Sequence, residues 1–508
     1  MRSQLLHGLI GLATLISPSL AVPTKREAVT SCLTNAKVPI DTKGSQTWTQ
    51  DGTAYNLRLQ FEPVAIAAPT TVAQISAAVS CGSKHGVSVS GKSGGHSYTS
   101  LGLGGEDGHL VIELDRLYSV KLAKDGTAKI QPGARLGHVA TELYNQGKRA
   151  LSHGTCSGVG LGGHALHGGY GMVSRKHGLT LDWIIGATVV LYDGKVVHCS
   201  KTERSDLFWA IRGAGASFGI VAELEFNTFP APEKMTYFDI GLNWDQQTAA
   251  QGLWDVQEFG KTMPSEITMQ VAIRKDGYSI DGAYVGDEAG LQKALQPLLS
   301  KLNVQVSAST VGWIDFVTHF AGTSDINLTS ASYNAVSRLL LTSDLKLTEG
   351  QHDTFYATSL TTRELSLEEI KTFVNSISTT GKSSSHSWWI QMDIQGGQYS
   401  AVAKPKPTDM AYVHRDALLL FQFYDSVPQG QKYPSDGFSL LTTLRQSISK
   451  SLRDGTWGMY ANYPDSQLKA DRAAEMYWGS NLQRLQKIKA AYDPKNIFRN
   501  PQSVKPKA

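Results

Sequence analysis

The sequence carries almost no net charge. Its 48 Lys and Arg stand against 44 Asp and Glu, a formal charge of +4 over 508 residues, with no block of like charge. The basic stripe that would track a phosphate backbone is missing, so nucleic acid is excluded as a partner. Membrane-length apolar runs are missing as well. The stretch from Leu5 to Ile16 falls short of the about 20 residues that span a bilayer, and no later segment is long enough. With Arg2 before it and Ser19-Leu20-Ala21 after it, that stretch reads instead as a secretory signal over residues 1–21 and implies an extracellular protein. Lys25-Arg26 is a candidate second processing site. Repeats and low-complexity tracts are absent too, which excludes a solenoid or a linker-rich chain.

Cysteine is scarce. The four present, Cys32, Cys81, Cys156 and Cys199, are too few for a disulfide scaffold, and their spacing leaves three full pairings open. One glycosylation sequon, Asn327-Leu328-Thr329, is a candidate in a secreted chain. At this length more than one core is expected. Residues 27–230 alternate short strands and helices, with a hairpin about Asp193-Gly194 and, over 128–147, a strand, a turn and a helix closed by Gly147. Beyond Phe229-Pro230 glycine thins out, and strands such as 266–273 and 387–394 alternate with amphipathic helices such as 290–302. A boundary near 230 therefore separates two domains, and the second is expected to run over 231–454. The last segment, 455–508, holds a helix with Leu482, Leu485 and Ile488 as its apolar stripe.

What the sequence has in excess is glycine, 49 residues clustered between Gly91 and Gly219. Two glycine-rich loops, near 91–105 and 154–171, flank one strand-turn-helix block. Such loops offer main-chain N–H groups without side-chain bulk, as a pyrophosphate requires. Each also carries one nucleophile, His96 and Cys156, 60 residues apart. Taken singly, His96 is a hydrogen-bonded loop histidine and Cys156 a buried thiol.

Several patterns here are decoys. Gly91-Lys92-Ser93-Gly94-Gly95 fits the hydrolase elbow G-x-S-x-G, but the loop resembling its oxyanion hole, His167-Gly168-Gly169, follows it rather than preceding it. Gly158, Gly160 and Gly163 fit G-x-G-x-x-G with Asp182 beyond, yet no strand runs into them. His153, Cys156, His164, His167 and His177 lie among glycines without a second nearby cysteine, so no metal is expected.

Five motifs, GKSGGHSY (91–98), GTCSGVGLGGHALHGGYG (154–171), LFWAIRGAGASFGIV (207–221), YANYPD (460–465) and YDPKNIFRNPQS (492–503), resemble those of the berberine-bridge-enzyme-like FAD-linked oxidases, and among these the fungal oligosaccharide oxidases. The resemblance covers nearly the whole mature chain. It implies an α+β fold with a vanillyl-alcohol-oxidase-type FAD domain, an antiparallel-sheet substrate domain, and residues 455–508 returning to the FAD domain. It implies FAD bound twice covalently, through 8α to His96 and through C6 to Cys156, a linkage that holds the cofactor outside the cell and raises its potential. Ser93, Gly94, Gly95, Ser97, Gly160, Gly163, Gly168, Gly169, Gly171, Gly219, Val221 and Tyr460 are the implied cofactor contacts, and Val159 the oxygen gate. The resemblance also pairs Cys32 with Cys81 and leaves Cys199 as a buried thiol.

For catalysis the resemblance implies Tyr463 as base, with Asp393 activating it and Tyr98 beside them. A phenol ionises near pH 10, so it needs such a partner. Strand alternation puts Trp389, Gln391 and Asp393 on one side, as it does Gln422 with Tyr424 and Thr268 with Gln270. Read from the residues alone, this is either a solvated sheet face or a sugar-binding face. With the resemblance it becomes the latter, and Gln270 becomes a neutral amide near the sugar. The implied reaction oxidises the reducing-end C1 hydroxyl of an oligosaccharide to a lactone and reduces O2 to hydrogen peroxide. The protein is expected to act as a monomer. The competing expectations are an oxidase of alcohols or secondary metabolites, and a dehydrogenase with another acceptor.

Overall fold

The computed structural model describes residues 24–328, 352–428 and 430–507. The proposed signal, 1–21, lies outside them.

The first sheet has four strands, in spatial order Ile40–Asp41, Ala65–Ala67, Leu110–Glu113 and Val89–Lys92, parallel except for the first pair. Leu110–Glu113 is buried throughout, as a parallel strand covered on both faces must be. Helix Val72–Lys84 packs on it through Ile75, Ala78 and Val79, and its N-terminus is capped by the Thr71 hydroxyl, which accepts from Gln74 N–H. The Cys32–Cys81 disulfide joins this helix to Lys25–Asn35, with Cα atoms 5.8 Å apart.

A second, antiparallel sheet orders Val120–Leu122, Thr127–Ile130, Ile220–Asn227, Ile184–Val190 and Val196–Ser200. Its last two strands form the expected hairpin, and Gly194 supplies the positive φ of +83° that the turn needs. Cys199 is free and fully buried there, and burial pushes its thiol up to about 12. One expectation fails. Helix Leu136–Gly147 is closed not by Gly147 but by Lys148, which takes the left-handed conformation at φ +52°. That conformation costs a side-chain-bearing residue about 1 kcal/mol. The Lys148 N–H bonding back to Leu143 and Tyr144, and its ammonium 3.8 Å from the Tyr144 ring centroid, offset it.

The third sheet is antiparallel and has eight strands: Ser307–Val311, Met235–Leu242, Gly277–Val285, Ile267–Arg274, Ser387–Ile394, Leu419–Val427, Thr354–Thr362 and Trp457–Gly458. Helices Gln246–Thr262, Glu288–Leu302, Leu367–Ser376 and Ser435–Ser449 cover one face, so Ile267, Met269, Val271 and Ile273 are buried under them, as are Trp388, Ile390 and Met392. Alternation then places Thr268 and Gln270, with Trp389, Gln391 and Asp393, on the opposite face. After Gly458 the chain leaves this sheet. Met459, Tyr460, Leu485, Ile488 and Val504 share one core with Ala187, Val189 and Leu224 of the second sheet.

Candidate active site

The turn 132–137 clasps both glycine loops. From the first, the Ser93 hydroxyl donates to Pro132 O. From the second, Leu161 and Gly162 N–H donate to Ala134 O (2.8 Å) and Pro132 O (3.0 Å), while Leu136 and Gly137 N–H donate to Val159 O (2.9 Å) and Ser157 O (3.0 Å). The Arg135 guanidinium bridges the two, donating to Gly94 O at 2.6 Å and Gly158 O at 2.8 Å. The loops touch main chain to main chain. A Cβ on Gly94 would lie 2.2 Å from Gly160 N, and one on Gly160 would lie 2.1 Å from Gly94 N. Neither position has room for a side chain, so Gly94→Ala is expected to cut the flavin-to-protein absorbance ratio of the purified protein at least about tenfold. Retention of a full ratio would show that the loops tolerate separation.

His96 projects from the first loop beneath Tyr55, whose ring stacks on it at 4.5 Å between centroids and 23° between planes. Burial, with Arg135, His352 and Lys92 nearby, pulls the imidazole down to about 3, so it stays neutral and nucleophilic. Ser97 Oγ accepts from Leu101 N–H at 3.1 Å and closes the turn beyond it. Cys156, on the second loop, is exposed. Tyr98 and Tyr463 both lie within electrostatic reach of it, which places all three about one space.

The remaining glycines divide by role. A Cβ on Gly163 would meet nothing within 4 Å. Gly168 and Gly169 have positive φ, and Tyr460 pins their turn: its hydroxyl oxygen accepts from Gly169 N–H (2.8 Å), Tyr170 N–H (3.3 Å) and Asn462 Nδ2 (3.0 Å). Gly171 lets this turn approach His153, where a Cβ would lie 1.9 Å from the carbonyl oxygen. Gly219 and Val221 sit deeper, where the strand Ile220–Asn227 packs on Val189 and Val190. Val159 is half-buried on the rim. The decoys are spoken for: Asp182 is ion-paired with Arg415 at 2.6 Å, His164 Nε2 accepts from Gly154 N–H, and His177 stacks on Phe229 at 3.8 Å.

The third sheet turns its open face to these loops. Tyr463 lies parallel to Tyr98 (6.0 Å, 13°) and edge-on to Tyr460 (5.1 Å, 87°). Two anchors hold it: Ser359 Oγ donates to its carbonyl at 3.0 Å, and buried Asp465 accepts from Tyr356 and Thr358 hydroxyls, both at 2.8 Å. Asp393 is 1% exposed, and Gln391 Nε2 donates to both its oxygens (3.1 and 3.0 Å). Burial pushes its carboxyl up to about 8, the Gln391 bond opposing and Asp281 adding. Burial and the facing Asp393 likewise hold the Tyr463 phenol well above 10. Strand register puts Gln270 beside Asp393, Gln391 beside Gln422, and Trp389 beside Tyr424, whose rings stack at 4.9 Å. Gln422 Nε2 donates to Tyr98 OH at 2.8 Å.

The amino-acid pattern missed several residues here. Tyr55 and Asp353 meet because strand Thr354–Thr362 is preceded by a segment that docks on residues 55–57, with Asp353 N–H donating to Tyr55 O (3.0 Å) and Leu57 N–H donating to Asp353 O (2.8 Å). Asp353 also accepts from Tyr424 OH at 2.9 Å. Asn327, the sequon residue, is exposed and its Oδ1 accepts from His138 Nδ1 at 2.8 Å, while Thr329 lies outside the described residues.

Residues 63–200 match the FAD binding domain and residues 459–505 the berberine and berberine-like domain. A chitooligosaccharide oxidase of Gibberella zeae is 73% identical over 499 residues, 98% of either chain. This protein is a berberine-bridge-like FAD-linked oxidoreductase. Within that family, the oxidoreductase dpmaF of Metarhizium anisopliae is 54% identical over 99% of this chain and 95% of its own. A solved glucooligosaccharide oxidase from Acremonium strictum, which carries a 6-S-cysteinyl, 8α-N1-histidyl FAD, is 42% identical with a TM-score of 0.88, covering 95% of this oxidoreductase and all of its own chain.

The residues present fit that cofactor. The open side of Gly163 leaves room beside the second loop, and the neutral imidazole and exposed thiol are the two nucleophiles the loops present. Tyr98, Tyr463 and Asp393 lie together on the side where the third sheet faces these loops.

Proposed function

We propose that this oxidoreductase is a secreted oxidase of oligosaccharides, N-acetylated chito-oligosaccharides foremost, that holds FAD covalently through His96 and Cys156. The observation that carries it is the convergence of Tyr463 and Asp393 with a stacked Trp389–Tyr424 plate on the one space the two nucleophiles face. FAD, held by His96 and Cys156, would supply the hydride acceptor for C1, with O2 as the final electron acceptor and hydrogen peroxide as its product. The protein's own residues do the rest. Trp389, stacked on Tyr424 by one face, offers its other face for the CH face of a pyranose, and Gln391, Gln422 and Gln270 offer amides for its hydroxyls and acetamido group. Tyr463 takes the C1 hydroxyl proton as the lactone forms, and Asp393 stabilises the proton's departure.

The similarity to a chitooligosaccharide oxidase and the neutral amide at Gln270 support the acetylated substrate. The polar face supports a carbohydrate over the apolar substrates of secondary metabolism. The disulfide and the N-terminal signal support secretion.

Acid precipitation tests the flavin linkage. Wild type and either single variant, His96→Ala or Cys156→Ala, are expected to keep the yellow colour in the pellet, and the double variant to release it. Colour washing out of the wild-type pellet would refute the double linkage. Peroxide release with N,N′-diacetylchitobiose, together with its absence for every sugar tried, are the two outcomes that decide the substrate reading.

A further inference from the structure

Gln270 does not stand alone on the open face. Strand register sets it directly between Asp281 on one neighbouring strand and Asp393 on the other, with Asp239 next in the same row beyond Asp281. Its Nε2 donates to Asp281 Oδ2 at 2.7 Å. An amide has two unlike ends, one an acceptor and one a donor. Burial pushes the Asp281 carboxyl up to about 6, the Gln270 bond and Arg274 opposing and Asp239 adding, so above that pH it is ionised and can only accept. The nitrogen end of Gln270 must therefore face Asp281, which leaves Oε1 as the end available to a ligand. On the other side, Asp393 receives the Gln391 amide on both its oxygens, while Gln270 Nε2 is turned to Asp281.

We propose that Asp281 is a specificity-determining positioning residue, which fixes the amide of Gln270 with its oxygen toward the sugar and so selects for a substrate N–H. The proposal rests on the oligosaccharide reading above and adds how the acetyl group is chosen. The consequence is asymmetric. A sugar hydroxyl both donates and accepts, so it is served by either orientation of the amide. An acetamido N–H only donates, so it is served by Oε1 alone. Loss of Asp281 frees the amide to rotate, and the penalty falls on the acetylated sugar.

The test uses the flavin-loaded enzyme with N,N′-diacetylchitobiose and cellobiose as substrates. Asp281→Leu is expected to raise KM for diacetylchitobiose about tenfold, the span of one hydrogen bond, with kcat within about twofold and KM for cellobiose unchanged. Asp281→Asn, whose amide can present either its acceptor or its donor end to Gln270 and so no longer dictates the orientation, is expected to recover only part of the wild-type ratio. Equal losses on both sugars, or a fall in kcat instead of a rise in KM, would show a structural role and overturn the proposal, as would an unchanged KM ratio. Should the leucine variant not fold, Asp281→Ala, which admits water, carries the same expectation. A wild type inactive on both sugars would instead overturn the oligosaccharide reading, and this proposal with it.

Discussion

Tyr463→Phe is expected to lower kcat by about 10³-fold while flavin content and its acid-stable retention stay at wild-type level. The phenol stands in the space shared by Cys156, Tyr98 and Asp393, so its loss removes the proton acceptor without touching either flavin anchor. It cannot ionise by itself near neutrality, because burial and the facing carboxylate hold it well above 10. Asp393 is the group whose charge state is within reach. Burial raises its carboxyl to about 8, so the protonated, inactive form prevails below that pH and the carboxylate appears as pH rises through it. The kcat/KM profile is expected to climb about tenfold per pH unit on the acid side and level off above about 8. Asp393→Asn is expected to lose this limb together with about 10²-fold or more of kcat. Adding Tyr463→Phe to it should cost little further, because the two act on one proton. A Tyr463→Phe enzyme within tenfold of wild type would remove the tyrosine from the reaction, and peroxide release under saturating sugar measures it.

Arg175→Ala is expected to destabilise the fold by about 4 kcal/mol and to lower Tm by roughly 5–10 °C. The side chain is fully buried, and all four of its acceptors are main-chain carbonyls: Met263 (2.9 Å), Pro264 (2.7 Å), Ile267 (2.6 Å) and Gly396 (3.2 Å). Truncation takes this donor from all four oxygens in a dry setting, although Pro264 O keeps Ile267 N–H at 3.2 Å, and that costs more than the bonds are worth. Burial already draws the guanidinium down to about 10, a sign of how much the surrounding carbonyls must offset. Arg175→Lys supplies one point of donation where the fork supplies several, and is expected to recover less than half of the loss. The consequence extends to activity. Arg175 follows the glycine turn 168–171, and its acceptors precede the strand that carries Gln270 and follow the one that carries Asp393. A loosened junction moves the base relative to the flavin loops, so kcat should fall several-fold even at temperatures where the variant is folded. Differential scanning fluorimetry alongside initial rates separates the two effects. A Tm within 2 °C of wild type would show that water satisfies the carbonyls.

The sequence by itself determined the elements and their faces, because those follow from local periodicity. The hairpin at Asp193-Gly194 needed only a turn dipeptide between two β-rich runs, and the sides taken by Trp389, Gln391 and Asp393 needed only the period of two. His96, Cys156 and Tyr463 were not legible one by one; they entered through the resemblance of five motifs taken together, and the packing brings Tyr463 and Tyr98 together beside Cys156. Where a local signal competed with a contact made elsewhere on the helix it misled, as at Gly147, where Lys148 took the left-handed position with its ammonium over Tyr144.

Only the tertiary structure decided which residues support the site. Tyr55 over His96, Arg135 between the glycine loops, Asp281 behind Gln270, Asp353 under Tyr424, and Arg175 across to Met263 and Gly396 have no periodicity and no motif. Their roles come from hydrogen bonds and ring contacts to partners outside their own helix or strand. Such partners are set by how the sheets pack, and a buried polar group accepts whatever partner the packing brings within reach.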